Sequence, residues 1–224
     1  AKTRAIRLKI SEKNAQGVLF SGAHPWAVEI AKTLKGKNIP VMLVDTNRDK
    51  LRTAKMAGLP VFEGSILSEE ILDEPELSSM GRILALTSND EINTLSVIHF
   101  LDYFGREEVY QLPLENKEAG KTKPANKGHR GRTLFSPTVD YLQIQKLYLK
   151  GCIVKATNLT EEFNYEKFIE RYGSNVIPMF LITDAKKLTV ITADRPLEPK
   201  PGQILVAMVE PFKESNSPET EEVA

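Results

Sequence analysis

Cysteine, long apolar runs and secretory features are scarce or missing in this sequence. The single cysteine, Cys152, cannot form an internal disulfide, and no stretch resembles a secretory signal. The longest apolar runs are far too short to cross a bilayer. The sequence therefore predicts a protein region that works in a reducing, cytosolic setting.

An excess of charge of either sign is also missing. The 224 residues include 30 Lys and Arg against 30 Asp and Glu, so the formal net charge is zero. A dedicated nucleic-acid-binding protein depends on excess basic charge. We therefore predict no nucleic-acid partner.

The most informative stretch covers residues 17–45. A strand-length apolar run, VLF, leads into the small residues SGA, and Pro25 then suits the first turn of a helix. A second apolar run, VMLV, ends at Asp45, about 20 positions after Gly22. This strand–turn–helix–strand pattern is what a βαβ nucleotide-binding fold needs to bring a carboxylate to a ribose.

The remaining pattern predicts an α/β protein in two parts. Further strands are predicted at 60–62, 83–86 and 109–112, with helices at 48–58, at 67–77 (interrupted near Pro75) and at 91–104. Apolar strands separated by helices indicate a Rossmann-like, doubly wound parallel sheet. A smaller α+β domain follows, with helices at 139–149 and 163–172 and strands at 153–159, 177–183, 188–193 and 204–209.

These elements predict a domain organisation. It consists of an N-terminal linker from an upstream membrane domain at 1–16, a Rossmann-like domain at 17–113, a basic flexible linker at 114–132, a small α+β domain at 133–212 and a disordered acidic tail at 213–224. The chain begins at Ala1 without an initiator Met. A fragment of a longer protein and a removed Met or tag explain this equally well.

Ligands of such a sheet bind beyond the carboxyl ends of its strands. The residues predicted there are Gly22, Ala23, His24, Asp45, Thr46, Asn47, Gly64, Ser65, Thr87 and Asn89. Asp45 can accept hydrogen bonds from both ribose hydroxyls, and its charge repels a 2′-phosphate. Backbone N–H groups at the start of the first helix can hold a phosphate.

The glycine fingerprint G-x-G-x-x-G is altered at its second glycine, which is His24 here. Its ring stands where a pyrophosphate would approach the backbone, so AMP or another adenine nucleotide is favoured over NAD, and an empty cleft is a further possibility. Two alternatives stay open. His24 either plugs the site or contacts a phosphate, and Asp45 either holds a ribose or caps the helix that begins near Arg48.

The N-terminal domain resembles the RCK/KTN (TrkA-N-like) regulatory domains of potassium channels, potassium-uptake systems and cation/proton antiporters. Three stretches carry the resemblance: VLFSGAHPWAVEIAKTL, VMLVDTNRDKLRTAKMAGLPVFEGSI and RILALTSNDEINTLSVIHFLDYFG. More narrowly, SGAHPWA with VYQLP and GRTLF is similar to the cytosolic C-terminal tail of NhaP-type sodium/proton antiporters. In the second domain, LEPKPGQILVAMVEP resembles the closing strand of the TrkA-C-like domain of such tails.

The resemblance implies a regulatory module on the cytoplasmic face of the cell membrane, usually a homodimer. Such a module senses a nucleotide or an ion and biases the transport of Na⁺ or K⁺ by a transmembrane antiporter domain. The resemblance carries nucleotide contacts over to Gly22, Asp45, Ser65 and Thr87.

Two other functions compete with a sensor. One is a dimerisation scaffold that binds no ligand. The other is an NAD-dependent oxidoreductase, which needs a general acid or base in the second domain. None of the three histidines, His24, His99 and His129, lies there. Cys152 is predicted as a small core residue, so we predict no catalytic residue, no metal site and no enzyme activity.

Overall fold

The computed structural model describes residues 15–114, 130–173, 175–195 and 197–211. They form two units. The first unit is a six-stranded parallel sheet with helices on both faces, and the second unit is a four-stranded antiparallel sheet with two helices. The predicted fold class, a Rossmann-like sheet followed by a smaller α+β part, is confirmed.

The first unit has the strand order β3-β2-β1-β4-β5-β6. Its elements are β1 (Gly17–Ser21), α1 (Pro25–Lys35), β2 (Val41–Asp45), α2 (Arg48–Met56), β3 (Val61–Glu63), β4 (Met80–Ala85), α3 (Asp90–Phe104), β5 (Val109–Gln111) and β6 (Arg132–Thr133). The order reverses direction between β1 and β4, which is the switch point where open α/β sheets bind ligands.

The second unit has the strand order β7-β10-β8-β9. Its elements are α4 (Tyr141–Leu149), β7 (Ile153–Asn158), α5 (Tyr165–Tyr172), β8 (Ile177–Ile182), β9 (Leu188–Val190) and β10 (Ile204–Val209). In the described parts of the chain, no helix combines the length and the apolar character that crossing a membrane requires.

Successive side chains along each strand point to opposite faces of the sheet, so the core has two layers, one on each face. In β1, Val18 and Phe20 face α1 and α2, whereas Leu19 faces α3 on the other side of the sheet. Both faces are therefore covered, which explains why the central strands of this sheet are mainly apolar rather than alternating between apolar and polar residues.

The predicted α-helix at 67–77 is wrong, although the interruption predicted near Pro75 is confirmed. This stretch contains two 3₁₀ helices, Glu69–Asp73 and Pro75–Ser79. Glu74 between them is extended, with φ −68° and ψ 127°. The residue before a proline is pushed out of the helical region, and the proline itself lacks the N–H that a continuing helix would use.

Strand β6 was not predicted. Its two residues, Arg132 and Thr133, pair with Tyr110 and Gln111 of β5. Arg132 was expected in the flexible linker at 114–132, because two residues are too few to show a strand pattern. Residues 115–129 of that linker, including His129, lie outside the described residues, as do residues 1–14 and the predicted acidic tail.

The two units share one hydrophobic core. Trp26 and Leu34 of α1 pack in the same cluster as Ile144 of α4. A buried arginine of β4, Arg82, also donates from Nη1 to the carbonyl oxygen of Leu188 at 2.7 Å. Helix α1 therefore lies between the parallel sheet and the second unit.

Candidate functional site

The predicted site residues lie at the carboxyl ends of the first four strands. Gly22, Ala23 and His24 follow β1, Asp45 ends β2 and is followed by Thr46 and Asn47, Gly64 and Ser65 follow β3, and Thr87 and Asn89 follow β4. The structure brings the residues after β1 and β2 into direct contact. The residues after β4 form a separate hydrogen-bonded group.

Gly22 turns the chain away from β1 with φ +107°, a backbone conformation that residues other than glycine rarely adopt. A Cβ atom built at this position would lie 3.2 Å from Nε2 and 3.3 Å from Cδ2 of His24. The glycine is needed here for two reasons, the backbone conformation and the imidazole ring that packs against it.

Asp45 ties the β1 turn to the β2 turn. Its Oδ2 accepts a hydrogen bond from the backbone N–H of Ala23 at 2.9 Å, and its Oδ1 accepts one from the N–H of Asn47 at 2.9 Å. Lys50 Nζ lies 3.7 Å from Oδ2, and the Asp45 side chain is 10% exposed. Helix α2 itself is capped by Asn47, whose side chain accepts from the N–H groups of Asp49 and Lys50.

His24 is 6% exposed and lies between Lys50 and α4. Its Nδ1 is 3.2 Å from the Tyr141 hydroxyl and 3.4 Å from Lys50 Nζ. An ammonium group can only donate, so Nδ1 is the acceptor and the ring proton is on Nε2. Among the described residues, this buried Nε2–H has no hydrogen-bond partner. A buried donor without a partner costs about 1–3 kcal/mol.

Burial determines the protonation state of His24. It lowers the pKa of the imidazole from 6.5 to about 4, with a smaller contribution from the positive charge of Lys50 and an opposing one from Asp45. The ring is therefore neutral near pH 7, in agreement with its acceptor role toward Lys50.

Two residues of α4 complete this region, and no pattern in the sequence indicated them. The Tyr141 ring meets the His24 ring edge-on at 4.9 Å between centroids. Gln145, one turn later, accepts a hydrogen bond through Oε1 from Trp26 Nε1 at 3.1 Å. Lys50 was also missed, although its position in the first turn of the helix after Asp45 was a usable signal.

The residues after β4 are held by Asn93 of α3. Its Oδ1 accepts from the N–H and the hydroxyl of Thr87, at 2.9 and 2.8 Å, and its amide donates to the Thr87 carbonyl at 2.9 Å. Asn89 caps α3 by accepting from the N–H groups of Glu91 and Ile92. The Thr87 side chain is thus already engaged in fixing its own turn.

We expect Asn93→Ala to lower the free energy of unfolding by about 2 kcal/mol, because the N–H and carbonyl of the half-buried Thr87 would lose their partner, the buried Asn93 side chain. Urea denaturation measures this. Thr94→Ala is the matched control, since its hydroxyl bonds only one carbonyl of its own helix, that of Asp90. Equal effects of the two substitutions would contradict this account.

The other predicted residues contribute less to this arrangement. Thr46 and Ser65 are exposed, and the Ser65 hydroxyl accepts from the N–H of Leu67. The Gly64 N–H donates to the Asp45 carbonyl at 3.1 Å. Arg48, next to this edge, pairs with Glu63 on the surface.

The predicted absence of catalytic groups can be examined at Cys152 and His99. Cys152 is buried, and burial raises the pKa of its thiol, which disfavours the nucleophilic thiolate. The His99 ring packs edge-on against Phe100 on α3. Within the described residues, no three His, Cys, Asp or Glu side chains are grouped as a metal site.

The family comparison finds one domain. Residues 18–116 match the model of the TrkA-N domain. Among proteins with curated descriptions, none matches the sequence significantly.

Solved structures that are similar to the chain include the TrkA-N domain of the inner membrane protein ybaL from Escherichia coli. It is 16% identical with a TM-score of 0.38, over 45% of this chain and 74% of that one. The GsuK channel is 14% identical with a TM-score of 0.43, over 88% of this chain and 38% of that one. A GsuK channel bound to NAD is 13% identical with a TM-score of 0.38, over the same shares.

The chain spans well under half the length of these two GsuK chains. The family model covers the parallel sheet through β5 and every predicted site residue. Residues 18–116 of this chain are therefore similar in sequence to TrkA-N domains.

Proposed function

We propose that this chain is the regulatory region of a monovalent cation/proton antiporter, for Na⁺ or K⁺, and that it senses an adenine nucleotide. One observation carries the proposal. Asp45 ends β2 beside the Ala23 N–H, at the edge where a βαβ fold holds a ribose. The TrkA-N match supports a regulatory role rather than a catalytic one.

The charges around Asp45 favour AMP or a related adenine nucleotide. The carboxylate has acceptor sites beyond the bonds it makes to Ala23 and Asn47, and ribose hydroxyls can donate to them. Its charge disfavours a 2′-phosphate. Lys50 Nζ and the N-terminus of α1 supply positive charge for a phosphate nearby.

The proposed partner is a transmembrane antiporter domain, and the proposed assembly is a homodimer on the cytoplasmic face of the membrane. A nucleotide would shift transport only to the extent that it binds the two transport states with different affinity. The resemblance to NhaP-type tails supports the antiporter, and the net charge of zero gives no reason to expect nucleic acid.

The position of His24 favours a second candidate function, a dimerisation scaffold that binds no ligand. The imidazole ring packs on Gly22, where a phosphate would approach the backbone. If the ring never leaves, the TrkA-N domain only stabilises the transporter.

Calorimetric titration with AMP, ADP, ATP and NADH tests both candidates. We expect the chain to bind AMP and Asp45→Ala to bind it at least about tenfold more weakly, because two charge-assisted hydrogen bonds to the ribose would be lost. Asp49→Ala is the matched control. Asp49 is an aspartate of the adjacent α2 helix, 80% exposed, and pairs with Arg52.

His24→Gly separates the candidates further, since it removes the ring from the cleft. If the unaltered chain or His24→Gly binds a nucleotide, and Asp45→Ala abolishes this binding, the result supports a sensor. Absence of binding of every nucleotide to both chains would overturn the sensor and leave the scaffold.

A further inference from the structure

We propose that Tyr141 is a latch: it holds His24 over Gly22 and closes the cleft, so that nucleotide entry and the contact between α1 and α4 exclude each other. This inference rests on the proposed nucleotide-sensing function and concerns the regulation of that site.

The exclusion follows from the space at Gly22. Nε2 and Cδ2 of His24 lie 3.2 and 3.3 Å from where a Cβ of Gly22 would be, and this Cβ would also be 3.6 Å from the carbonyl carbon of Leu86. The ring therefore packs on Gly22 at the end of β1, beside the end of β4, which is the switch point of the sheet. A phosphate can reach the backbone there only after the ring has moved.

Moving the ring breaks contacts with the second unit. The Tyr141 hydroxyl is 3.2 Å from Nδ1, and the two rings meet edge-on. Trp26, two residues after His24, also touches Tyr141, with ring centroids 5.8 Å apart, and donates to Gln145. All these contacts of the second unit come from α4, so the position of α4 and the position of the ring are linked.

Within the part of the chain that the structure describes, only one of the two ring nitrogens of His24, Nδ1, has hydrogen-bond partners in the closed arrangement. Nε2–H is buried without a partner among the described residues. A ring that swings out can satisfy this donor with water or with a phosphate oxygen, and Lys50 is then released from Nδ1. The hydrogen bond from the Tyr141 hydroxyl to Nδ1 opposes this movement of the ring.

Linkage makes the effect reciprocal. A nucleotide that binds only the open cleft loosens α4, and a change that loosens α4 tightens nucleotide binding. The second unit thereby senses the cleft without touching the nucleotide.

The test uses the full 224-residue chain with AMP as the probe. We expect Tyr141→Phe, which keeps the ring and removes the hydroxyl, to bind AMP roughly fivefold more tightly in calorimetry. Saturating AMP should also speed hydrogen exchange of the α4 amides in the unaltered chain. Tyr148→Phe is the matched control on the same helix, and it should leave both measurements unchanged.

The outcomes separate the latch from the proposed function. Tighter binding by Tyr141→Phe together with faster α4 exchange supports the latch. If His24→Gly binds AMP but Tyr141→Phe matches the unaltered chain, the latch is overturned and nucleotide sensing stands. If the unaltered chain, Tyr141→Phe and His24→Gly all fail to bind, nucleotide sensing and the latch are both overturned.

Discussion

Replacing Trp26 with alanine is expected to lower the free energy of unfolding by about 4 kcal/mol. The side chain is fully buried in the core that both units share. Its ring stacks with that of His24 and lies tilted against that of Tyr141, and its Nε1 donates to Gln145 of α4. The substitution therefore leaves a large cavity between α1 and α4 and deprives the Gln145 amide of its partner.

Guanidinium denaturation measures the loss, with two controls. Trp26→Phe keeps most of the ring and should cost clearly less, and Met56→Ala should change stability by less than about 0.5 kcal/mol because Met56 is 84% exposed. A loss below about 1 kcal/mol for Trp26→Ala would mean that α1 does not pack on the second unit in solution.

The fold was predictable because its signals are local. Each central strand of the parallel sheet contains a short apolar run, and the helices between them show apolar residues at helical spacing. The failures have local causes as well. The break at Pro75 was predicted, but the short segments on either side of it form 3₁₀ rather than α-helices, and β6 has only two residues, too few for a periodic pattern.

The site was predictable only in part, for a different reason. The ends of parallel strands meet at one edge, so the placement of Gly22 and Asp45 follows from the order of strands and helices. Tyr141 is 117 residues away from His24 in sequence, and nothing in its local pattern indicates the contact. Likewise, the sequence predicted two roles for Asp45, binding a ribose or capping a helix, but it did not predict the hydrogen bond that Asp45 accepts from Ala23.

The histidine at the second position of the glycine fingerprint makes specific contacts with Gly22, Lys50 and Tyr141. A glycine at position 24 would leave the cleft open to a phosphate and would give Tyr141 no ring to hold. With histidine there, Gly22 accommodates an imidazole at close distance, and Asp45 and Lys50 both lie beside it. The histidine in the fingerprint therefore connects the end of β1 to the second unit.

Acidification from pH 6.5 to pH 4 is expected to remove about 3 kcal/mol of stability through His24 alone. The pKa of this imidazole is about 4 in the folded chain and 6.5 when unperturbed, chiefly because it is buried. As the pH falls through this window, the unfolded chain binds a proton that the folded chain does not. The contribution is complete above pH 6.5 and is lost progressively as the pH falls toward 4.

Urea denaturation at a series of pH values measures the slope, and His24→Gln should remove most of it, because glutamine does not titrate. His99→Gln is the matched comparison. Burial also lowers the pKa of His99, with Glu69 opposing, but this ring is only half-buried, so its substitution should remove a smaller part of the slope. If His24→Gln keeps the whole loss between pH 6.5 and 4, then His24 is not a buried neutral imidazole in solution. The ring would then already lie outside the cleft, and Tyr141 would have nothing to hold.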